Sequence, residues 1–302
     1  MSMDNPLPGQ AVYRLMEHIQ VDLPSLIEQE HAQLALMGGP FPEKKNEFCS
    51  FTRVLDVACG TGSWAMEVAR TNPHLEVIGI SALPALIAHA GERASAAGLK
   101  NVSFLLVVGD EKPHLPFADA EFDLVNTQYL HSCLRTGEWQ DFMRDCWRIT
   151  RPGGYLRMTE PERGPSTSLA FERLIDLYLQ AHHKAGQRFS PDDRHIGAAN
   201  QLIYLCQEAG WTEIARRAYL MEYSSQKVAQ ETLPLYLPYY QQTFRPLIMK
   251  EGLASEEELT TLLQQIDEEI KREEFTMHRF LITVSGHKPP ESEATPESQT
   301  IE

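Results

Sequence analysis

Residues 54–62 read VLDVACGTG. An apolar run of strand length carries one acid, Asp56, and stops at Gly60 and Gly62. Glycines at that spacing let a chain turn sharply out of a strand, bring its backbone close to a ligand and enter a helix. A nucleotide can lie against such a turn. Glycine serves any strand-to-helix turn, however, so the flanking pattern decides what this one means.

That pattern is an alternation. Short apolar runs end in Gly, Asp or Asn, and between them apolar residues recur three and four apart. The spacing predicts strands at 53–57, 76–80, 102–108, 122–126 and 155–159, with helices between them. Pro84 suits the first turn of a helix and Gly98 a left-handed helix end. Trp139, Phe142, Met143, Cys146 and Ile149 mark one helical face, terminated by Pro152-Gly153-Gly154. Alternating strands and helices predict a mostly parallel sheet covered on both faces. Its ligand site is expected beyond the carboxyl ends of the strands, where strand order reverses.

The flanks are more helical. Residues 8–38 have helical periodicity, as do 168–185 and 198–209, and a sixth strand is predicted at 214–222. Segment 228–250 carries Tyr236, Tyr239 and Tyr240, a stripe that suits either the wall of an apolar substrate pocket or core packing. Residues 255–274 form an amphipathic helix that suits a lid or a homodimer contact, and 276–284 a last strand. Four regions follow: an N-terminal helical cap (1–45), a ligand-binding core (46–161), a part completing the sheet with helical insertions (162–286), and a disordered acidic tail (287–302).

The loop resembles motif I of the class I methyltransferases that use S-adenosylmethionine (SAM), in which an acid precedes the glycines by a few positions. Dinucleotide oxidoreductases instead show G-x-G-x-x-G, and Ala65 stands where the third glycine would fall. The resemblance continues in order through VIGIS-x-x-P from Val77, GDE from Gly109, FDLVNTQYLH from Phe122 and RPGGYLRMTE from Arg151. It implies an α/β Rossmann-like fold with a seven-stranded, mostly parallel sheet, N-terminal helices and helical insertions forming a lid. It also implies SAM as cofactor, S-adenosylhomocysteine as product and no metal.

Roles follow by position. Ala58, Cys59, Gly60 and Gly62, with Thr61 among them, would present backbone to the methionine part of SAM. Asp56 would order the loop or meet the amino group through water. Asp110, after Gly109, resembles the acid that accepts from the adenine amino group, with Glu111 a weaker candidate beside it. Asn126 and Gln128 would line the methionine side. The second strand departs from the family pattern. Where an acid normally grips both ribose hydroxyls, this chain has Ser81, followed by Ala82. Exchanging a bidentate carboxylate for a hydroxyl costs about 1.5–3 kcal/mol. Three accounts of Ser81 stand: a neighbour or water replaces the acid, the pocket takes a differently decorated ligand, or binding is weakened.

Methyl transfer needs alignment and exclusion of water, and a base helps when the nucleophile is carbon, oxygen or protonated nitrogen. His131, just past the fourth strand, stands where acceptor should approach; Tyr129 and Glu160 are lesser candidates. The reading is SAM-dependent methylation of a small, partly apolar acceptor. Its rivals are a non-catalytic or weakened SAM-binding protein and a SAM-dependent cyclase or rearrangement enzyme. His182, His183 and His195 lack the spacing of a metal site and suit a solvated or interfacial role.

Composition bounds the partners. Forty-two acidic against 27 basic residues give a net charge of −15, which repels nucleic acid and anionic membranes. Five scattered cysteines without a C-x-x-C pair suit a reducing compartment. The N-terminus lacks a basic-then-apolar pattern, and no run of about 18 apolar residues occurs. A cytoplasmic protein with no membrane span is expected.

Overall fold

The computed structural model describes residues 23–42, 49–107, 114–192, 194–224 and 226–290, apart from several side chains between 226 and 243. Seven strands form one sheet: β1 (Arg53–Val57), β2 (Glu76–Ser81), β3 (Val102–Leu106), β4 (Phe122–Gln128), β5 (Thr150–Ser166), β6 (Thr212–Glu222) and β7 (Met277–His287). Their order is β3-β2-β1-β4-β5-β7-β6. Pairs from β3 through β5 are parallel, whereas β7 runs antiparallel between β5 and β6. Strand order therefore reverses between β1 and β4, and the crevice there opens at their carboxyl ends.

The sheet separates two apolar layers because side chains alternate along each strand. Val54 and Val77 join Trp64, Val68 and Leu75 on one face, while Leu55, Val57, Ile78 and Ile80 join a larger core on the other. Helices α1 (Leu23–Met37), α2 (Ser63–Thr71), α3 (Pro84–Ala96), α4 (Trp139–Ile149), α5 (Leu169–Lys184), α6 (Ala198–Glu208), α7 (Gln226–Lys250) and α8 (Glu256–Glu269) cover it. Pro84 occupies the first turn of α3 and Gly98, at φ +69°, follows its end. Ser168 and Ser255 cap α5 and α8 by accepting from the N–H groups of Phe171 and Glu258. All five apolar residues predicted for one face of α4 are buried. Helix α1 packs on α7, and α5 packs on both α7 and α8, so a helical layer lies beside the carboxyl-end crevice.

Two expectations change. Pro152-Gly153-Gly154 does not itself end α4, which stops at Ile149; it forms an irregularity at the start of β5, where pairing jumps from Phe122–Thr150 to Leu124–Tyr155. Gly154 is needed there, since a Cβ would lie 2.9 Å from the carbonyl oxygens of Arg151 and Asp123. Strand β5 also runs well past Thr159, because β7 pairs with it as far as Ser166. The predicted helix before residue 23 and the tail from 291 onward lie outside the described residues. Among the described residues no helix is long and apolar enough to cross a membrane.

Candidate active site

A cavity of about 250 Å³ sits at the carboxyl ends of β1, β2 and β4. From β1 and its loop it is lined by Asp56, Ala58, Cys59 and Gly60; from the end of β2 by Ser81 and Ala82; from β4 by Gln128 and Tyr129. The loop has an unusual backbone. Ala58, Gly60 and Gly62 all have positive φ, at +57°, +59° and +82°. Alternating left-handed residues make a chain concave, with amide groups turned inward, the geometry that cradles a polar or charged ligand. Ala58 holds this conformation despite its Cβ, a strain that the surrounding packing must support.

Asp56 lies beneath the loop and is almost wholly buried. Asn126 donates to its Oδ1 at 2.7 Å, and Arg157 in turn donates to Asn126 Oδ1 at 2.8 Å. Burial pushes the Asp56 carboxyl up to about 7, against the lowering by the Asn126 hydrogen bond; Glu30 adds to the rise and Arg157 opposes it. Asn126 is fully buried, so it buttresses Asp56 instead of lining the cavity. This corrects the role expected from its motif. Thr61 and Gly62 also turn inward. Thr61 bonds to Glu30 through both its N–H and its hydroxyl, and accepts from Arg93 at 2.8 Å. A Cβ on Gly62 would meet the Phe104 ring at 2.6 Å and Ala90 Cβ at 3.0 Å. Gly62 therefore permits close packing of helix on sheet; it does not face the cavity.

Helix α1 supplies residues that no local motif marks. Glu30 clamps the loop from above, its carboxylate lying where a Gly60 Cβ would stand. Gln33 donates to Gln128 Oε1 at 2.6 Å and accepts from the Tyr129 hydroxyl at 2.6 Å. The sole signal in sequence is polar Gln29, Glu30 and Gln33 on a helix whose Leu26, Leu34 and Met37 also face inward. Arg279 of β7 also lines the cavity and lies over the Tyr129 ring, 5.3 Å to its centroid. The Ser81 hydroxyl accepts from the Leu83 N–H at 3.2 Å.

Behind Tyr129, Leu130 and Ser132, which line the cavity, stands His131. It is 4% exposed and Glu160 is 0% exposed. His131 Nδ1 lies 2.7 Å from Glu160 Oε2, and Glu160 also accepts from the backbone N–H groups of Leu130 and His131. His131 Nε2 faces the Tyr178 hydroxyl at 3.3 Å. Burial drives the pair toward net neutrality: it pushes Glu160 up to about 8 and holds His131 well below the usual imidazole range, helped there by Arg188 and His182. At 2.7 Å the Nδ1 to Oε2 contact couples the two groups, so they titrate as a unit.

Other expectations fall elsewhere. Tyr240 packs edge-on against Phe171 and tilted against Phe244 and does not line the cavity, so this tyrosine is core packing. The side chains of Tyr236 and Tyr239, and all of Gly109, Asp110 and Glu111, lie outside the described residues. His182 is buried and bonded to Gln187 at 2.7 Å, not solvated, because α5 turns it inward. Among the described residues no group of three or more His, Cys, Asp or Glu is arranged to hold a metal ion.

The sequence and the fold both have known relatives. Residues 54–154 match the family model for a methyltransferase domain. A demethylmenaquinone methyltransferase of Listeria monocytogenes is 31% identical over 173 residues, covering 54% of this chain and 71% of the relative. The chain belongs to the class I methyltransferase family. Another family member, a demethylmenaquinone methyltransferase of Deinococcus radiodurans, is 33% identical over 128 residues; the match spans 42% of this chain and 50% of the relative's length. Among solved structures, phosphoethanolamine N-methyltransferase 2 of Haemonchus contortus, in complex with phosphomonomethylethanolamine and S-adenosylhomocysteine, has a TM-score of 0.51 at 16% identity, covering 92% of this chain and 61% of that one. The cyclase SpnF has a TM-score of 0.50 at 17% identity, covering 96% and 100%. These two share the fold. The cavity of this methyltransferase-family chain fits a ligand such as SAM in chemistry, since the concave loop, a buried acid and polar Gln33 and Gln128 surround it.

Proposed function

We propose that this chain catalyses SAM-dependent methyl transfer to a small, partly apolar acceptor by in-line displacement. When bound, SAM supplies a methyl group on an already activated sulfonium. The protein's own tasks are then to align the acceptor, exclude water and, for a carbon or oxygen nucleophile, remove a proton. The observation that carries the reading is the left-handed loop at Ala58, Gly60 and Gly62 over buried Asp56, at the point where strand order reverses. Residues 46–161 form the cofactor-binding core in this reading, with residues 1–45 a cap and helices of 162–286 a lid. His131, behind the cavity wall at Leu130 and Ser132, is assigned as the base, meeting an acceptor that takes the place of the Tyr178 hydroxyl at its Nε2, and Glu160 as the positioning residue that holds its ring. The relatives' names, which specify demethylmenaquinone, support a quinone-class acceptor, and the net charge of −15 argues against nucleic acid.

Incubation with SAM and a demethylated quinol, followed by mass spectrometry, tests the reading. The expected product is heavier by one methyl group, with S-adenosylhomocysteine formed in equal amount. An acceptor rearranged without gain of mass points to a cyclase, and calorimetric binding of NAD in place of SAM sinks the proposal.

Ser81 offers a separate check on the ribose end. Its hydroxyl gives one neutral contact and already serves the Leu83 N–H. Ser81→Asp restores a bidentate acceptor and is expected to tighten SAM binding about 10- to 100-fold by calorimetry. Unchanged or weaker binding would mean that another group already holds the ribose.

A further inference from the structure

The cavity is charged unevenly. Glu30 and Asp56 line it at the loop after β1, and Arg279, the one arginine or lysine among the described residues lining it, stands at the β7 end. Strand register sets that separation. Thr159 of β5 pairs with Gln128, the last residue of β4, whereas Arg279 pairs with Arg163, four residues farther along β5. At about 3.3 Å per residue, its backbone lies roughly 13 Å past the carboxyl end of β4. From there the half-buried guanidinium reaches back over the Tyr129 ring. Met221, its partner in register on β6, also lines the cavity. The neutral donors beside it are committed, since the Tyr129 hydroxyl donates to Gln33 and the Gln33 amide donates to Gln128. Across β5, Arg163 is paired with Glu172 and Asp176. The proposed base is near. The Tyr129 and His131 ring centroids are 6.2 Å apart, and after burial, Arg188 and His182, Arg279 helps to hold the imidazole below its usual range.

We propose that Arg279 holds the oxygen anion of a hydroquinone acceptor while its ring is methylated at carbon, and so selects an ionisable hydroxyl beside the reacting position. The assignment rests on the methyl-transfer reading and deepens it. A guanidinium stays charged and directs planar N–H donors at an oxygen. In a site that excludes water, such donors stabilise charge as it develops. The anion belongs at this end because the two acids occupy the other. Tyr129 and the Met221 thioether offer an aromatic ring a flat, polarisable surface. In the step itself, His131 Nε2 takes the hydroxyl proton and the electron pair stays on the oxygen held by Arg279. Delocalised onto the neighbouring ring carbon, that pair forms the bond to the sulfonium methyl as the methyl–sulfur bond breaks and S-adenosylhomocysteine departs. Loss of the ring proton to water and return of the proton from His131 to the oxygen restore the quinol.

The test is absorbance and calorimetry on the full chain, saturated with S-adenosylhomocysteine, with 1-naphthol and its ether 1-methoxynaphthalene as probes. In buffer where free naphthol is neutral, the wild type is expected to show the naphtholate band on binding, because a cation beside the oxygen lowers its midpoint of ionisation by about 1–3 pH units. It should prefer the naphthol to the ether by about 10-fold or more. Arg279→Met loses the band and the preference but still takes up S-adenosylhomocysteine, while Arg279→Lys keeps part of both. Its turnover of a demethylated quinol, with methionine at the position, falls about 100- to 1,000-fold. A wild type that binds S-adenosylhomocysteine but no naphthol, or neutral naphthol, or both probes alike overturns this assignment alone, whether or not the variants fold. A naphtholate band that survives Arg279→Met overturns it as well. Loss of S-adenosylhomocysteine binding in a folded Arg279→Met protein gives the residue to the cofactor's carboxylate and overturns it too. Failure of the wild type to bind S-adenosylhomocysteine overturns the methyl-transfer reading, and this assignment with it.

Discussion

Gly62→Val is expected to weaken SAM binding by roughly 100-fold or more and to lower the melting temperature. Gly62 stands at φ +82°, a conformation that costs a side-chain-bearing residue about 1–3 kcal/mol and a β-branched one most. Space is as restrictive as the backbone. The new Cβ would lie 2.6 Å from Phe104 Cζ, 2.7 Å from Cε1 and 3.0 Å from Ala90 Cβ. Relief requires α2 to move away from the sheet, and α2 begins at Ser63, so the loop from Ala58 must open with it. Gly60→Ala makes the contrast. Its Cβ meets only the end of the Glu30 side chain, which can swing aside, so a milder loss is expected. Calorimetry with S-adenosylhomocysteine separates loop damage from unfolding, which circular dichroism follows independently. Wild-type affinity in a folded Gly62→Val protein would show that this loop is not the cofactor cradle.

His131→Ala is expected to lower turnover by about 100- to 10,000-fold, leaving affinity for S-adenosylhomocysteine unchanged because His131 does not line the cavity. The pH dependence identifies the mechanism. Between the two titration steps the His131–Glu160 pair is neutral overall, and a protonated Glu160 donating to Nδ1 leaves the hydrogen on Nε2. The free Nε2 lone pair needed by a base exists only after that proton leaves, and burial pushes Glu160 up to about 8. Turnover should therefore rise with pH along a one-proton limb through about 8 and fall below it. Glu160→Gln removes the titrating acid. An amide donating to Nδ1 fixes the wrong tautomer, as when a triad aspartate becomes asparagine, so the limb disappears and turnover stays low. A limb that persists unchanged in His131→Ala would assign the base elsewhere.

Much of the fold was legible because its signals are local. Strand β1 falls on the predicted residues, and Pro84, Gly98 and the apolar face of α4 do what their chemistry requires within a few neighbouring positions. The second half of β5 was not legible. Pro161, Gly164 and Pro165 are poor strand formers. They extend because Ile282, Leu281, Phe280 and Arg279 of β7, more than a hundred positions later, pair with β5 there.

The same division runs through the candidate site. The quoted stretch by itself determined a strand, a turn that demands glycine and a helix start, since φ and ψ preferences act residue by residue. It could not say that Gly62 faces Phe104 while Gly60 faces Glu30, or that Asn126 is turned from the cavity toward Asp56. Those outcomes depend on which side chains the sheet and helices bring within a few ångströms. Glu30 is 31 positions from Thr61, Glu160 is 29 from His131, and Arg279 reaches Tyr129 from the last strand. Only tertiary structure decided these partnerships, because burial and hydrogen bonding act through space, without regard to distance along the chain.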